Sequence, residues 1–430
     1  MMNRISDIKL VEEDTRNEFL VQSVVSGYEA ASARRTHWES LWNECYDYAL
    51  PQRNRFGSIS GAGQEKSDHL YDATAMDAVD QLAASLLGQL TPPWAQWFGL
   101  KPGQDVAEED REGLAKVLEK AAKTIQSHFD RSNFSVEMHQ CFLDLVVGGT
   151  ASLLFEEARP GDMSAFKFSA VPLSDVVLEE GEGGRLDVAY RKLTLTPAQL
   201  IKRYPFATID IDEFLDIKEE LVVLEGVVPD ETAYQFTAIL ERDERILVDV
   251  RLPRSPFISF RWMKSPAEVY GRSPVMKALP DIKTANKVVE LILKNASIAI
   301  SGIWQADDDG VLNPANIELT PGAIIPKAVG SKGLTPLDMP ARFDVSQLVL
   351  EDLRERIRHT MLIDRLPQIG SRQMTATEIL ERSSEMSLVM GATYGRLQSE
   401  LLTPLIQRAF DILRRRGEVP DISIDGRNVK

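Results

Sequence analysis

The chain has few of the residues and sequence runs that mark several large protein classes. Only two of its 430 residues are cysteine, Cys45 and Cys141, which is too few for a disulfide framework or a cysteine-based metal cluster. No stretch reaches the roughly 18 consecutive apolar residues of a membrane span. The N-terminal segment lacks the apolar stretch of a secretory signal. We therefore expect two reduced, partly buried thiols, an intracellular origin and no membrane partner.

Motifs of catalysis and cofactor binding are also missing. The sequence contains no phosphate loop, no strand-linked glycine fingerprint for dinucleotides and no HExxH pair of zinc ligands. The run from Asp307 to Gly310 resembles part of a calcium loop. However, Gln305 and Asn316 stand where such a loop needs carboxylates. We therefore predict a protein that is no enzyme and that holds no cofactor and no metal.

Acidic residues outnumber basic ones by 65 to 49, which gives a formal net charge of −16. Tight, non-specific DNA binding requires a basic surface that neutralises phosphates. This balance argues against a repressor or a nucleoid protein, but it is compatible with a protein past which DNA slides. Residues 208–245 are especially acidic, with twelve acidic and three basic side chains. They form either a solvated face or an anionic wall towards DNA or a partner.

One short region is basic, although the chain as a whole is acidic. It is either a solvated helix face with partners on the same helix, such as Glu351, Asp352 and Glu355, or a surface that approaches phosphate. Its basic residues are Arg354, Arg356, Arg358, His359, Arg365 and Arg372.

Hydrophobic spacing predicts helices in the first third of the chain and short strands in the middle. The predicted helices cover residues 12–48, 73–90, 106–129 and 134–147, and Gly148-Gly149 ends the last of them. A short helix begins at Thr196-Pro197 and ends near Tyr204. The predicted strands cover residues 151–155, 165–169, 186–190, 221–227, 233–240, 246–250 and 257–262. This order indicates an α+β fold rather than regular βαβ alternation.

The last third is predicted to be helical again, with an insert. Ser273-Pro274 is a favourable helix start, and the apolar stripe continues to about residue 300. A β-rich insert with several prolines covers residues 301–345, and a second helix starts at Ser346. A break at residues 366–375 precedes a long helical pattern over residues 377–415. Pro404 should disturb that helix.

Four groups of short motifs carry a resemblance to a known family. They are LYDAT at 70–74 with LTPPWAQWFGL at 90–100, then GGTASLLFE at 148–156, then RWMK at 261–264 with EVYGRSP at 268–274, ALPD at 278–281 and TAN at 284–286, and finally TATE at 375–378 with GRL at 395–397 and ELLTPLI at 400–406. Together they resemble the portal (head-to-tail connector) proteins of short-tailed, podovirus-like bacteriophages.

The resemblance implies an α+β portal fold with a mixed α/β wing, a two-helix stem, a small β-rich clip and a long wing helix. The implied segments are the wing (1–272), the first stem helix (273–300), the clip (301–345), the second stem helix (346–365), the tunnel loop (366–376) and the long wing helix (377–416). Residues 417–430 would start a crown or tail segment. Because the sequence stops at Lys430, we expect the crown to be short or missing.

The resemblance also implies the function. Subunits would form a dodecameric ring at one capsid vertex, a conduit for DNA packaging and ejection without sequence specificity. Further expected partners are the terminase, a tail adaptor, and the capsid and scaffolding proteins. The expected location is the virion, after assembly in the host cytoplasm. In the channel, the resemblance points to the tunnel-loop residues Gln368, Ile369, Gly370, Ser371, Arg372 and Gln373. For docking of terminase or adaptor, it points to the clip residues Trp304, Asp307, Asp308 and Asp309.

Two alternatives from other classes remain open. Another virion adaptor or tail component would lack the order of stem helix, clip and stem helix. A metal-dependent nuclease or packaging enzyme would need a phosphate loop or convergent metal ligands.

Overall fold

The computed structural model describes residues 2–56, 66–103, 108–205, 207, 220–301, 304–305, 335–336, 343–364, 390–419, 423–424 and 427–428. The helices, in chain order, are α1 (Met2–Ala49), α2 (Thr74–Leu90), α3 (Glu108–Asp130), α4 (Phe134–Gly148), α5 (Pro197–Arg203), α6 (Pro274–Ser301), α7 (Phe343–Thr360), α8 (Ala392–Leu397) and α9 (Thr403–Arg415). The predicted helices of the first third are confirmed, although α1 begins ten residues earlier than its apolar spacing indicated.

Eight strands form two antiparallel sheets. The strands are β1 (Thr150–Glu157), β2 (Phe166–Val171), β3 (Val176–Glu179), β4 (Val188–Leu195), β5 (Leu221–Asp230), β6 (Ala233–Leu240), β7 (Arg245–Leu252) and β8 (Phe257–Arg261). One sheet has the order β2-β1-β8, and the other follows the chain from β3 to β7. The α+β class is confirmed, and of these eight strands only β3 was missed, because its four residues are too few for a period. The structure also describes a short antiparallel pair that was not predicted, Ser423–Ile424 with Arg427–Asn428.

The main core lies where α1, α2 and α4 pack against the three-stranded sheet and against α6, α7 and α9. Its largest fully buried side chains include Trp42, Phe142 and Phe155. Both thiols are buried in this core rather than partly buried as expected. The middle of α1 instead packs on the five-stranded sheet, where Val21 and Val24 belong to a separate small cluster.

Local signals set several element ends as predicted. Gly149, in the left-handed conformation with φ of 76°, ends α4. Thr196 accepts a hydrogen bond from the Gln199 amide while the Gln199 side chain accepts from the Thr196 amide, which forms a capping box at the start of α5.

The last third differs from the prediction in two respects. Helix α7 begins at Phe343, so Ser346 is not its cap. The prediction of a long helix over residues 377–415, disturbed only at Pro404, is wrong over the described part, because Gly391 has φ of 53° and ψ of −123° and separates Met390 from α8. The disturbance predicted at Pro404 takes the form of a π-helical turn, Gln398–Leu402, just before α9.

Most of the predicted insert and the predicted break lie outside the described residues. In the insert, the structure describes one short antiparallel pair, Trp304–Gln305 with Thr335–Pro336. Residues 366–376 and the first part of the long helical pattern, 377–389, lie outside the described residues.

Candidate functional site

Helices α6 and α7 form a pair that is anchored to the rest of the molecule at defined points. Arg356 of α7 pairs with Asp281 of α6 at 3.0 Å. Further along α6, Asn286 binds the segment that also holds Arg354 of α7. The two groups of contacts described below, which we call the root cluster and the Asp72 clamp, fix this pair.

The root cluster is centred on Arg261, the last residue of β8, whose side chain is fully buried. Its Nη2 atom donates to the Glu400 carboxylate at 2.7 Å and to the carbonyl of Gly184 at 2.8 Å. Its Nη1 atom donates to the Val269 carbonyl at 2.9 Å and to the Glu180 carboxylate. One guanidinium therefore joins the end of β8, the 180–184 loop, the segment that leads into α6, and the C-terminal helical region.

Charge inside the root cluster is balanced by these contacts. Burial alone would lower the pKa of Arg261, but hydrogen bonds to Glu400 and Glu180 outweigh it and hold the pKa above its usual value. Burial would raise the pKa of Glu180, yet hydrogen bonds from Lys264 and Arg261 keep it below its usual value. Both groups therefore stay charged, and removing one partner would leave an uncompensated buried charge.

Backbone contacts close the same region. The Gly271 amide donates to the Thr150 hydroxyl at 2.8 Å, and the Trp262 amide donates to the Gly149 carbonyl at 2.9 Å. A Cβ added to Gly271 would lie 2.2 Å from the Gly149 oxygen, so this approach requires glycine. Ser273 then accepts a hydrogen bond from the Met276 amide and starts α6.

The Asp72 clamp holds both helices to the segment before α2. The Asn286 side chain accepts from the amides of Tyr71 and Asp72, at 2.6 and 3.2 Å, and donates to the His69 carbonyl at 3.0 Å. Asp72 in turn accepts from Arg354 at 2.8 Å and from the Thr74 amide at 2.9 Å. The pKa of Asp72 is lowered, because these hydrogen bonds outweigh the effect of burial.

The basic run of the sequence is partly accounted for by these contacts. Arg354 pairs with Asp72 of another segment, and Arg356 pairs with Asp281 of α6 and at 3.9 Å with Asp352 of its own helix. Of the partners expected on the same helix, Asp352 is therefore confirmed for one arginine, while the tighter contacts cross between elements. Arg365 and Arg372 lie outside the described residues.

Apolar side chains are exposed on the same helix pair. Leu291 and Leu293 of α6 are about half exposed, and Leu348 and Val349 of α7 are 68% and 46% exposed. At about 100° per residue, Leu291 and Leu293 point to nearly opposite sides of α6. An isolated chain thus leaves apolar surface on more than one side of this pair.

Nine of the ten predicted site residues lie outside the part of the chain that the structure describes. All six tunnel-loop residues, 368–373, and the three clip aspartates, 307–309, lie outside the described residues, and Trp304 is placed only as part of its two-residue strand. The anchoring residues Arg261, Glu400 and Asn286 were missed as site residues. A signal existed, because Arg261 is a charge inside the apolar strand run PFISFRW and Asn286 is polar beside the apolar stripe of α6.

Within the described residues, no group of three or more His, Cys, Asp or Glu side chains is placed so that it could hold a metal ion. No helix within the described ranges is long and apolar enough to cross a membrane.

Comparison with known proteins gives a consistent set of relatives. A family model described as "Bacteriophage head to tail connecting protein" matches residues 21–430. The chain is 24% identical over 416 residues to the probable portal protein of Bordetella phage BPP-1. This alignment covers 90% of this chain and 73% of that protein. It is 23% identical to the portal proteins of Enterobacteria phage T3 and Escherichia phage T7, with 92% of this chain and 75% of the relative covered in each case.

Proposed function

The chain belongs to the family of bacteriophage head-to-tail connecting proteins, and from this membership we propose that its subunits close into a ring, expected to be dodecameric, at one capsid vertex. Its role is that of a structural portal protein in the virion. The capsid and the tail are its partners in that role. We propose that it has no catalytic activity of its own and that ATP is hydrolysed by a terminase docked to it.

The observation that carries the ring is the anchored pair of α6 and α7 with its exposed apolar residues. A closed ring of identical subunits needs two different, complementary surfaces on each copy. Leu291 and Leu293, on opposite sides of α6, offer such surfaces to two neighbours. Burial of these side chains would contribute roughly 1.5–3 kcal/mol for each one fully removed from water.

We assign the segments of the portal fold to the chain as follows. Helices α6 and α7 would be the stem, the insert 301–345 the clip that docks terminase and later a tail adaptor, and residues 366–376 the tunnel loop. Assembly would take place in the host cytoplasm with capsid and scaffolding proteins. The root cluster and the Asp72 clamp support this assignment, since a stem that borders moving DNA must be held rigidly.

DNA would pass through the ring without a deep electrostatic trap. Twelve copies with a net charge of −16 each carry about −190 charges. An acidic lumen repels phosphates at short range, within the Debye length of roughly 8–10 Å at physiological salt. Within the tunnel loop, Gln368, Ser371 and Gln373 would touch the DNA backbone transiently, and Arg372 would make a weak phosphate contact.

The contact of Arg372 can be tested directly. Arg372→Glu should leave ring assembly intact but reduce the amount of DNA packaged or retained, because an attractive phosphate contact becomes repulsive. Packaged DNA is measured in particles assembled with wild-type or variant portal, and Arg372→Lys is the control that keeps the charge. Packaging at the wild-type level by Arg372→Glu would remove the case for this contact.

The experiment that tests the function itself is the mass of the purified protein in solution, followed by negative-stain images of the same sample. A ring of about twelve subunits with a central hole is the expected result. A compact dimer at every salt concentration, also with scaffolding protein present, would contradict the portal architecture.

A further inference from the structure

Helices α6 and α7 run in opposite directions. Asp281 of α6 contacts Arg356 of α7 at 3.0 Å, well inside both helices. The antiparallel strand pair Trp304–Gln305 with Thr335–Pro336 holds the chain just after α6 beside the chain just before α7. Because one residue spans at most about 3.6 Å, the few residues between each helix and its strand could not join the distant ends of a parallel pair. The end of α6 and the start of α7 therefore lie at the same end of the helix pair.

One side of α6 is exposed and carries two lysines. The exposed positions recur at helical spacing, and they are Pro280, Thr284, Lys287, Leu291 and Lys294. Lys287 and Lys294 both pair with Glu290 of the same helix, at 2.8 and 2.6 Å. Since one carboxylate serves two ammonium groups, an excess positive charge stays on this side. Leu291 lies between the lysines and is 48% exposed. We call Lys287, Leu291 and Lys294 the basic stripe.

One side of α7 is exposed and carries two carboxylates. Leu348 is followed on this side by Glu351 and Glu355, which are also exposed. Glu351 accepts a hydrogen bond from Gln347 at 3.3 Å, and within the described ranges neither glutamate is paired with a cation. Arg358 follows one turn later, so the acidic charge is confined to the first part of the helix. We call Leu348, Glu351 and Glu355 the acidic stripe.

The two stripes lie on the outer sides of the helix pair. At about 100° per residue, each stripe lies roughly 80–140° around its helix from Asp281 or Arg356, which face the partner helix. The rotation has the same sense in both helices, and the helices run in opposite directions, so the stripes point to different sides of the pair. The faces away from the stripes are buried, with Ile282 and Ile357 near their centres. One copy therefore presents a basic surface on one side and an acidic surface on the other.

The stripes also lie at matching heights along the pair. At about 1.5 Å per residue from the ion pair between the helices, Leu291 lies about 15 Å and Leu348 about 12 Å towards the same end. Lys287 lies about 9 Å and Glu351 about 7.5 Å from that ion pair. Rotation about an axis leaves the height along that axis unchanged. In a ring whose axis follows the helix pair, the stripes of neighbouring copies therefore meet in register.

We propose that the basic stripe of one copy docks against the acidic stripe of the next copy. Leu291 packs against Leu348 at the centre of the contact, and Lys287 lies between Glu351 and Glu355. The contact rests on the proposed function, since it exists only in a ring. Copies with a net charge of −16 repel one another, and opposite charges across this contact reduce the repulsion where the copies touch. The two different surfaces that a closed ring needs are thus the outer sides of α6 and α7.

The test is a charge reversal, read by native mass spectrometry of the full chain as the fraction of subunits in rings. Lys287→Glu should lower this fraction about threefold, because a like charge then faces Glu351 across an exposed contact. Lys287→Glu combined with Glu351→Lys restores opposite charges and should return the fraction to the wild-type level. Lys123→Glu is the matched control, because Lys123 is similarly exposed and also pairs with a glutamate of its own helix. It should leave the fraction unchanged.

The outcomes separate this contact from the proposed function. Wild-type rings that persist in Lys287→Glu, or a loss that Glu351→Lys does not reverse, overturn the contact and leave the ring standing. An equal loss in Lys123→Glu also overturns it, because net charge alone then explains the effect. Wild-type subunits that form no ring contradict the proposed function, and the contact falls with it.

A second variant tests the centre of the contact without a change of charge. Leu291→Cys combined with Leu348→Cys should give disulfide-linked chains of three or more subunits after oxidation with copper phenanthroline, because each copy then offers one thiol to each neighbour. The native Cys45 and Cys141 are buried. Leu293→Cys with Leu348→Cys is the control and should give no chains longer than dimers, because Leu293 lies on another side of α6. Rings of the first variant that yield no linked chains overturn the contact.

Discussion

At the scale of single residues, this chain buries guanidinium groups in two different environments. Arg261 meets carboxylates, which keep its pKa above the usual value. Arg408 of α9 donates instead to the backbone carbonyls of Phe155 and Arg254, at 2.8 and 2.7 Å. Burial, and after it the nearby charge of Arg415, lowers the pKa of Arg408 to about 10. Arg261 therefore fixes charged segments to one another, whereas Arg408 fixes α9 to the central strand β1 and to the segment before β8.

The Asp72 clamp gives a prediction for one neutral side chain. Asn286→Ala should lower the free energy of unfolding by about 2–3 kcal/mol, because the amides of Tyr71 and Asp72 lose their acceptor in a buried position. Urea unfolding measures the change. The matched control is Asn295→Ala on the exposed side of the same helix, which should change stability by less than about 0.5 kcal/mol. Equal effects of the two substitutions would contradict the clamp.

The same clamp predicts a dependence on pH. The pKa of Asp72 in the folded protein lies below its ordinary value of 3.8, so the unfolded chain takes up the proton first as the pH falls. The stability from ionised Asp72 is complete above about pH 5 and is lost as the pH drops through the folded pKa. The difference in unfolding free energy between wild type and Asp72→Asn should be present at neutral pH and shrink towards pH 3. A difference that is constant over this range would show that the charge has no part in the clamp.

At the scale of elements, close backbone approach decides how the strands and α6 meet. Helix α4 ends at Gly148, β1 starts at Thr150, and the loop with Gly271 passes directly over this junction. Hydrogen bonds from Gly271 to Thr150 and from Trp262 to Gly149 then hold the loop in place. The start of α6 is thus set by a junction of backbone groups rather than by side-chain packing alone.

Gly271→Ala tests this junction. The added Cβ would lie 2.2 Å from the Gly149 oxygen and 2.9 Å from the Arg261 Cβ, so the backbone must shift, at a cost of about 2 kcal/mol or more. Urea unfolding measures the loss. Gly395→Ala is the control, since its Cβ meets nothing within 4 Å in α8 and alanine favours a helix by up to about 1 kcal/mol. A neutral Gly271→Ala would show that the loop has room to move.

At the scale of the whole molecule, the proposed ring requires an acidic chain to associate with copies of itself. Like charges on the subunits oppose association, so apolar contacts must overcome the repulsion. In the proposed ring, the exposed leucines of α6 and α7 would supply such contacts along the helix pair, while the root cluster and the Asp72 clamp keep the pair in one orientation. The proposed ring would thus use buried ionic groups to hold the helix pair and exposed apolar groups to contact its neighbours.

Leu291→Glu should weaken the ring without unfolding the subunit. The substitution adds a charge to a surface that we expect to be buried between copies, where an unpaired carboxylate is costly. Native mass spectrometry gives the fraction of ring, and circular dichroism checks the fold. The control is Met163→Glu, because Met163 is an equally apolar, 81% exposed residue away from the helix pair. Equal ring fractions for both variants would exclude the Leu291 side of α6 from the contact.

The sequence by itself determined the elements and the family of this protein. Period, caps and prolines are local signals, and they located helices such as α4 and α6 and the strands of both sheets except β3. The order of the motifs indicated the portal family. The tertiary structure alone decided which distant groups meet, as in the pairs of Arg261 with Glu400 and of Arg354 with Asp72. It also decided that Gly391 and the π turn interrupt the last helical region. The physical reason is that periodicity reports which face of an element is apolar, whereas a buried charge finds its partner only when segments more than a hundred residues apart pack together.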